Sequence, residues 1–167
     1  MKQLFRHIEG VKVTAQFAKK KSFRYRRDIS LANPSNRTKT ACVIMQNPSY
    51  AGEEVADKSV QFMEKIVFQK SLPMFADVRR LIVVNQFARI QTNRFQGLPD
   101  EIGSRNNSAI KSALKESAVI IIAWGSNNRF KERQAFVRGL ISKMKGKQVF
   151  ETKHPSRASY DGFIPDT

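Results

Sequence analysis

The sequence predicts an α/β fold: three layers, α/β/α, around a central, mainly parallel four-stranded sheet, with a basic β-hairpin at the N-terminus. Three observations carry that expectation. Short apolar runs without alternation lie at residues 40–45, 81–84 and 119–124, and a fourth, weaker one at 148–150. Runs of that length and pattern suit strands buried on both faces. Segments of helical period separate them, and the order strand, helix, strand, helix, strand, helix, strand implies a parallel sheet covered on both sides.

Each element follows from local chemistry. Val11, Val13, Ala15 and Phe17 alternate with Lys12, Thr14, Gln16 and Ala18, and Phe23 and Tyr25 alternate with Arg24 and Arg26. Period two predicts two half-buried strands joined around Lys19-Lys20-Lys21, with one face on the domain and the other carrying positive charge. Asn33-Pro34-Ser35-Asn36 reads as a turn. Asp57 is a candidate cap for a helix carrying Val60, Met63 and Val67, with Phe62 and Ile66 beside them. Pro73 ends that region, and a long loop at 91–103 follows the second strand. Ser104 is expected to cap the next helix, with Ile110, Ala113 and Leu114 inward. A helix from about Asn128 places Phe130, Val137, Leu140, Ile141 and Met144 on one stripe and ends at Gly146. The whole chain, 1–167, is expected to form one domain, with 1–40 as the hairpin extension and 41–160 as the core.

Composition narrows the partners. Lys and Arg number 30 against 14 Asp and Glu, a net charge of +16 with pI near 10.4, and the excess is densest in residues 1–40. Such a field favours a polyanion, nucleic acid first. No apolar run is long enough for a membrane span and the N-terminus has no signal-peptide core, so no membrane role and a cytoplasmic location are expected. Cys42 is the only cysteine, which rules out an internal disulfide and reads as a core residue. No Cys/His spacing suggests a metal site, neither glycine-rich nucleotide fingerprint appears, and no cofactor is expected. A monomer is expected.

Polar groups mark the ends of the apolar runs: Gln46-Asn47-Pro48-Ser49-Tyr50, Asn85, Trp124-Gly125-Ser126, and the Lys153-His154-Pro155-Ser156-Arg157 loop. In an open α/β sheet the strand C-termini share one edge, and ligands bind there. His154 is one of only two histidines. These four motifs, in this order, resemble those of the uracil-DNA glycosylase superfamily over residues 41–160. Gln46-Asn47-Pro48-Ser49-Tyr50 looks like the water-activating loop, and Val83-Val84-Asn85 like the strand ending in the base-reading asparagine. Ile122-Ala123-Trp124-Gly125-Ser126 looks like the Leu-Leu-Trp-Gly-Ser strand end, and His154-Pro155-Ser156 like the motif that opens the DNA-intercalating loop. The chain also resembles an uncharacterised bacterial and phage family with an Asn-Pro-Ser loop and an Ala-Trp-Gly strand.

The glycosylase resemblance implies hydrolysis of the N-glycosidic bond of a flipped-out pyrimidine in DNA, without lyase activity. It implies Asn47 and His154 as catalytic residues, with Gln46, Ser49, Tyr50, Phe62 and Asn85 around the base. Lys19, Lys20, Lys21, Ser156 and Arg157 are expected on DNA. Arg157 is divided between phosphate contact and stack-filling wedge, Phe62 between base stacking and core, and Trp124 between core and site wall. Departures shape the substrate. Met45 replaces the glycine before the loop, Asn47 stands where the uracil-specific branch has aspartate, and Ser49-Tyr50 replace Tyr-His. A serine in place of the tyrosine that blocks the pyrimidine C5 side implies room for 5-substituted bases, hydroxymethylated or sugar-modified, alongside uracil. That substrate class suits repair or defence against phage DNA. Asp57 and Asp161 are candidate carboxylates for the water. The competing reading is a non-catalytic DNA- or nucleotide-binding module on the same fold.

Overall fold

The computed structural model describes residues 5–18, 21–48, 55–90, 95–125 and 128–165. Its centre is a six-stranded sheet built from β2 (Val11–Phe17), β3 (Arg24–Leu31), β4 (Lys39–Met45), β6 (Val78–Asn85), β7 (Val119–Ile122) and β8 (Gln148–Glu151), in the order β2-β3-β6-β4-β7-β8. A separate two-stranded pair joins β1 (Phe5–Arg6) to β5 (Val55–Ala56). The helices are α1 (Lys58–Phe68), α2 (Asn106–Glu116) and α3 (Lys131–Ser142).

The four strands expected from the apolar runs are parallel to one another, in the order β6-β4-β7-β8. The hairpin β2-β3 is not a separate appendage. It joins the same sheet antiparallel to β6, through Arg27↔Val83 and Ile29↔Leu81. The chain therefore steps from β4 to β6 on one side, then crosses β4 to reach β7 on the other. With right-handed crossovers, a chain that reverses direction must change face. The core shows the change. Ala41, Val43, Met45, Leu81, Val83, Val119 and Ile121 face α1. Cys42, Ile44, Ile82, Val84, Ile120 and Ile122 face α2 and α3. Period-two alternation of wholly apolar strands thus builds two separate cores. Cys42 belongs to the second, and burial pushes its thiol up to about 12, which leaves it unreactive.

Three expectations are corrected. The arginines of β3 do not form an outward basic face: Arg24, Arg26 and Arg27 are buried. Arg26 lies between Asp28 (2.7 Å) and Glu116 (2.7 Å), so two carboxylates keep it charged inside. An irregularity opposite Gln16 and Phe17 adds one residue to β3 and shifts the alternation there. Ser104 does not cap α2, whose first turn follows Arg105 without a side-chain cap. The chain reaches it through Gly103 at φ +91°, where a Cβ would stand 2.9 Å from the Tyr25 ring. Close packing against that ring sets the turn in place of a cap. Finally, α3 ends at Ser142, short of Gly146. Asp57 does cap α1, its Oδ1 accepting from the Val60 amide at 2.7 Å. Among the described residues no helix is long and apolar enough to cross a membrane.

Candidate functional site

The site begins with a rule of topology. β4 and β7 are neighbours whose outgoing connections run to opposite faces of the sheet. At such a switch point the two loops part and leave a crevice beyond the strand C-termini. An open cleft of about 1110 Å³ lies there, lined by Gln46 and Asn47 after β4, Trp124 and Gly125 after β7, and residues from Glu151 to Pro165 after β8.

His154 is fixed by its own tripeptide. It precedes a proline and is therefore extended (φ −62°, ψ 137°), while Pro155 occupies the first position of a single 3-10 turn. In that geometry the His154 ring caps the turn: Nδ1 accepts the Ser156 amide at 3.1 Å and lies 2.8 Å from Ser156 Oγ. A ring nitrogen that accepts from a backbone N–H carries no proton, so the neutral imidazole bears its proton on Nε2. The electrostatics agree. Burial lowers the His154 pKa from 6.5, and the Arg157 charge lowers it further against an opposing pull from Asp57. His154 is thus a neutral ring with one donor, Nε2–H, beside the cleft.

The opposite side is made by Gln46 and Asn47. Gln46 Nε2 donates to Asn47 Oδ1 at 3.3 Å, and Asn47 Nδ2 to the Pro48 carbonyl at 3.4 Å. Gly125 adopts φ +90°, and a Cβ there would lie 3.5 Å from the His154 Cβ, so this left-handed turn brings β7's loop against the histidine. Trp124 is buried and lines the cleft. The Arg138 guanidinium lies 5.2 Å from its ring centroid and is itself held by Glu151 at 2.5 Å. This prop from α3 to β8 escaped sequence reading, because nothing local links Arg138 to Trp124.

The cleft therefore brings together Gln46, Asn47, His154, Ser156 and Arg157, with Asp161 also on its lining. Asp57 is near enough to act on the His154 charge while it caps α1. Two expected residues lie off the lining. Phe62 is in the α1 core, stacked on Tyr160 (centroids 4.7 Å apart) and edge-on to Phe163. Asn85 ends β6, paired in register with Met45, and is buried; its Oδ1 has no hydrogen-bond partner among the described residues. Lys21 is exposed and lies 5.9 Å from the Phe17 ring centroid. Lys19, Lys20, Ser49 and Tyr50 lie outside the described residues. Among the described residues no group of acidic, histidine or cysteine side chains could hold a metal.

Fold and site together define a doubly wound α/β protein with a polar cleft at its switch point. The chain belongs to a family described as "Protein of unknown function (DUF1643)", whose model matches residues 24–158 and so includes β3 as well as the parallel strands. No curated protein and no solved structure gave a match.

The His154 pKa gives a prediction. Any activity that requires the neutral ring should persist to lower pH than an ordinary histidine allows, since burial disfavours the imidazolium. Arg157→Gln removes a charge that lowers this pKa, so the acid limb should move to higher pH. Stability follows the same sign. The unfolded chain takes up the proton first, so this contribution is present above the unfolded value of 6.5 and is lost as pH falls below it. Titration of the His154 ring by NMR in both proteins checks the shift, and an unchanged pKa in the variant would refute it.

Proposed function

We propose that the protein is a monofunctional DNA glycosylase acting on a flipped-out pyrimidine, either a 5-substituted base or uracil. The observation that supports this most is the pairing, across one cleft, of an amide loop at Asn47 with a neutral histidine whose Nδ1 is already engaged. In the proposed reaction the bond from C1′ to the base nitrogen breaks and its electrons pass to the pyrimidine. His154 Nε2–H donates to the base oxygen on which charge develops, where a fixed donor acts most strongly. Asn47 holds a water by accepting from it, without serving as a base. The water adds to the oxocarbenium carbon, and its proton leaves to the departing pyrimidine or to solvent. Positioning of this kind suffices for a largely dissociative reaction. The buried Oδ1 of Asn85, without a hydrogen-bond partner among the described residues, supports a base-reading role once the end of β6 is opened to the cleft. Net charge +16 suits a DNA partner.

The test is base release from matched oligonucleotides carrying uracil, thymine, 5-hydroxymethylcytosine or its glucosylated form. Abasic sites should appear with at least one 5-substituted base, and Ser49→Tyr should suppress that release. Excision of uracil alone would refute the open-pocket part of the proposal. No abasic sites from any substrate, with DNA binding intact, would favour the non-catalytic module, a reading to which the amide in place of a carboxylate at position 47 lends support.

A further inference from the structure

We propose a second nucleic-acid surface, a basic ridge along the N-terminal edge of the parallel strands, on the side of the sheet opposite the cleft. Its parts come from four separate chain segments that backbone bonds place side by side. Lys39 begins β4 and its amide donates to the Asp77 carbonyl at 2.8 Å, just before Arg79 on β6. The Ala118 amide donates to the Thr40 carbonyl at 2.8 Å, bringing the end of α2 with Lys115 alongside. The Gln148 amide donates to the Ala118 carbonyl at 3.0 Å, and Lys147 Nζ to the Lys115 carbonyl at 3.0 Å, which adds Lys143 and Lys145. Lys39, Arg79, Lys115, Lys143 and Lys145 are all exposed, and none makes an ion pair among the described residues. The nearby carboxylates Asp28 and Glu116 are already bound by Arg26 and Arg80, and the exposed Asp77 offsets only one of the ridge cations.

A helix C-terminus accounts for part of this charge, since Lys115 sits in the last turn of α2 where a cation offsets the dipole. Lys39 and Arg79 are strand residues and have no helix end to offset. Adjacent strands stand about 4.8 Å apart, so a row over four strands is about 14 Å long. Duplex DNA rises about 3.4 Å per nucleotide of one strand, so the row is long enough to meet several backbone phosphates. A ridge on one edge and a cleft on the other would let one molecule hold two DNA segments.

The test uses ordinary duplex DNA without modified bases, so it does not depend on any catalytic activity. One labelled duplex is offered to the protein bound on an immobilised second duplex. The wild type should capture it. Lys39→Gln/Arg79→Gln/Lys115→Gln/Lys145→Gln should bind the immobilised duplex yet lose capture, and its log–log salt slope should fall by up to about 3.6, at about 0.9 per phosphate contact. Lys143→Gln/Lys145→Gln, confined to the loop before β8, should give an intermediate loss should the larger variant fail to fold. Unchanged capture and slope in the variants, or no capture by the wild type, would overturn the ridge. Ridge-dependent binding to phosphatidylserine vesicles without capture of DNA would overturn the nucleic-acid assignment. Failure of the glycosylase reading would instead leave the ridge results intact and remove only base release.

Discussion

His154→Ala should lower base release by about 10²–10³-fold, the usual consequence of removing one donor to charge developing in a transition state. The rationale is specific to the ring's state. With Nδ1 accepting the Ser156 amide, Nε2–H is the only donor the neutral imidazole retains. Asn47→Ala should also lower release strongly, because the amide that would hold the water is lost while the cleft keeps its shape. DNA affinity should change little in either variant, since it comes mainly from basic contacts. Single-turnover release and equilibrium binding, measured on the same oligonucleotide, separate the two effects. A parallel fall in binding and release would assign these residues to docking, and full activity of the His154 variant would remove the histidine from the mechanism. His154→Gln adds a control: it keeps a donor near the same place but cannot titrate, so any residual activity should lose its acid limb.

The parallel sheet was legible because its strands are apolar on both faces. Residues 40–45, 81–84 and 119–122 could satisfy two cores only as central strands, and they do. The edge that gathers the polar loops followed from that topology, and so did the meeting of Asn47 with His154. Charge at β3 misled for a physical reason. Period two separates polar from apolar positions, but it cannot tell an arginine in water from one buried between Asp28 and Glu116, whose side chain arrives from α2. Asn106 was illegible in the same way. Its amide donates at 3.0 Å to the carbonyls of both Asn85 and Gln86, a tie between α2 and the end of β6 with no local signature. Phe62 had two readings, and its place was decided by Tyr160 and Phe163, which come from the far end of the chain. Such pairings lie in tertiary contact, beyond the reach of periodicity.

His7→Ala should destabilise the fold by about 1–3 kcal/mol, the usual cost of leaving a buried polar group without its hydrogen-bond partner. Glu64 lies on the inward face of α1, fully buried, with His7 Nδ1 at 2.5 Å from Oε2 and the Ile8 amide donating to Oε1 at 3.1 Å. The two residues stand 57 positions apart, so no local pattern links them. Removing His7 leaves Glu64 Oε2 buried without that partner, and the unsatisfied polar atom sets the cost. Removing the carboxyl as well should restore part of the loss: His7→Ala/Glu64→Met leaves no buried polar atom unpaired there, although the space of the imidazole stays unfilled, and should be closer to wild type than His7→Ala alone. The contact also bears on the site. It ties the segment that follows β1 to α1, and β1 pairs with β5, which immediately precedes the Asp57 cap. Loosening it should therefore shift the His154 titration through Asp57 as well as lower the melting temperature. Thermal unfolding of the two single variants and the double variant measures the coupling. Simple additivity of the two changes would show that the pair does not act as a unit and would refute the prediction.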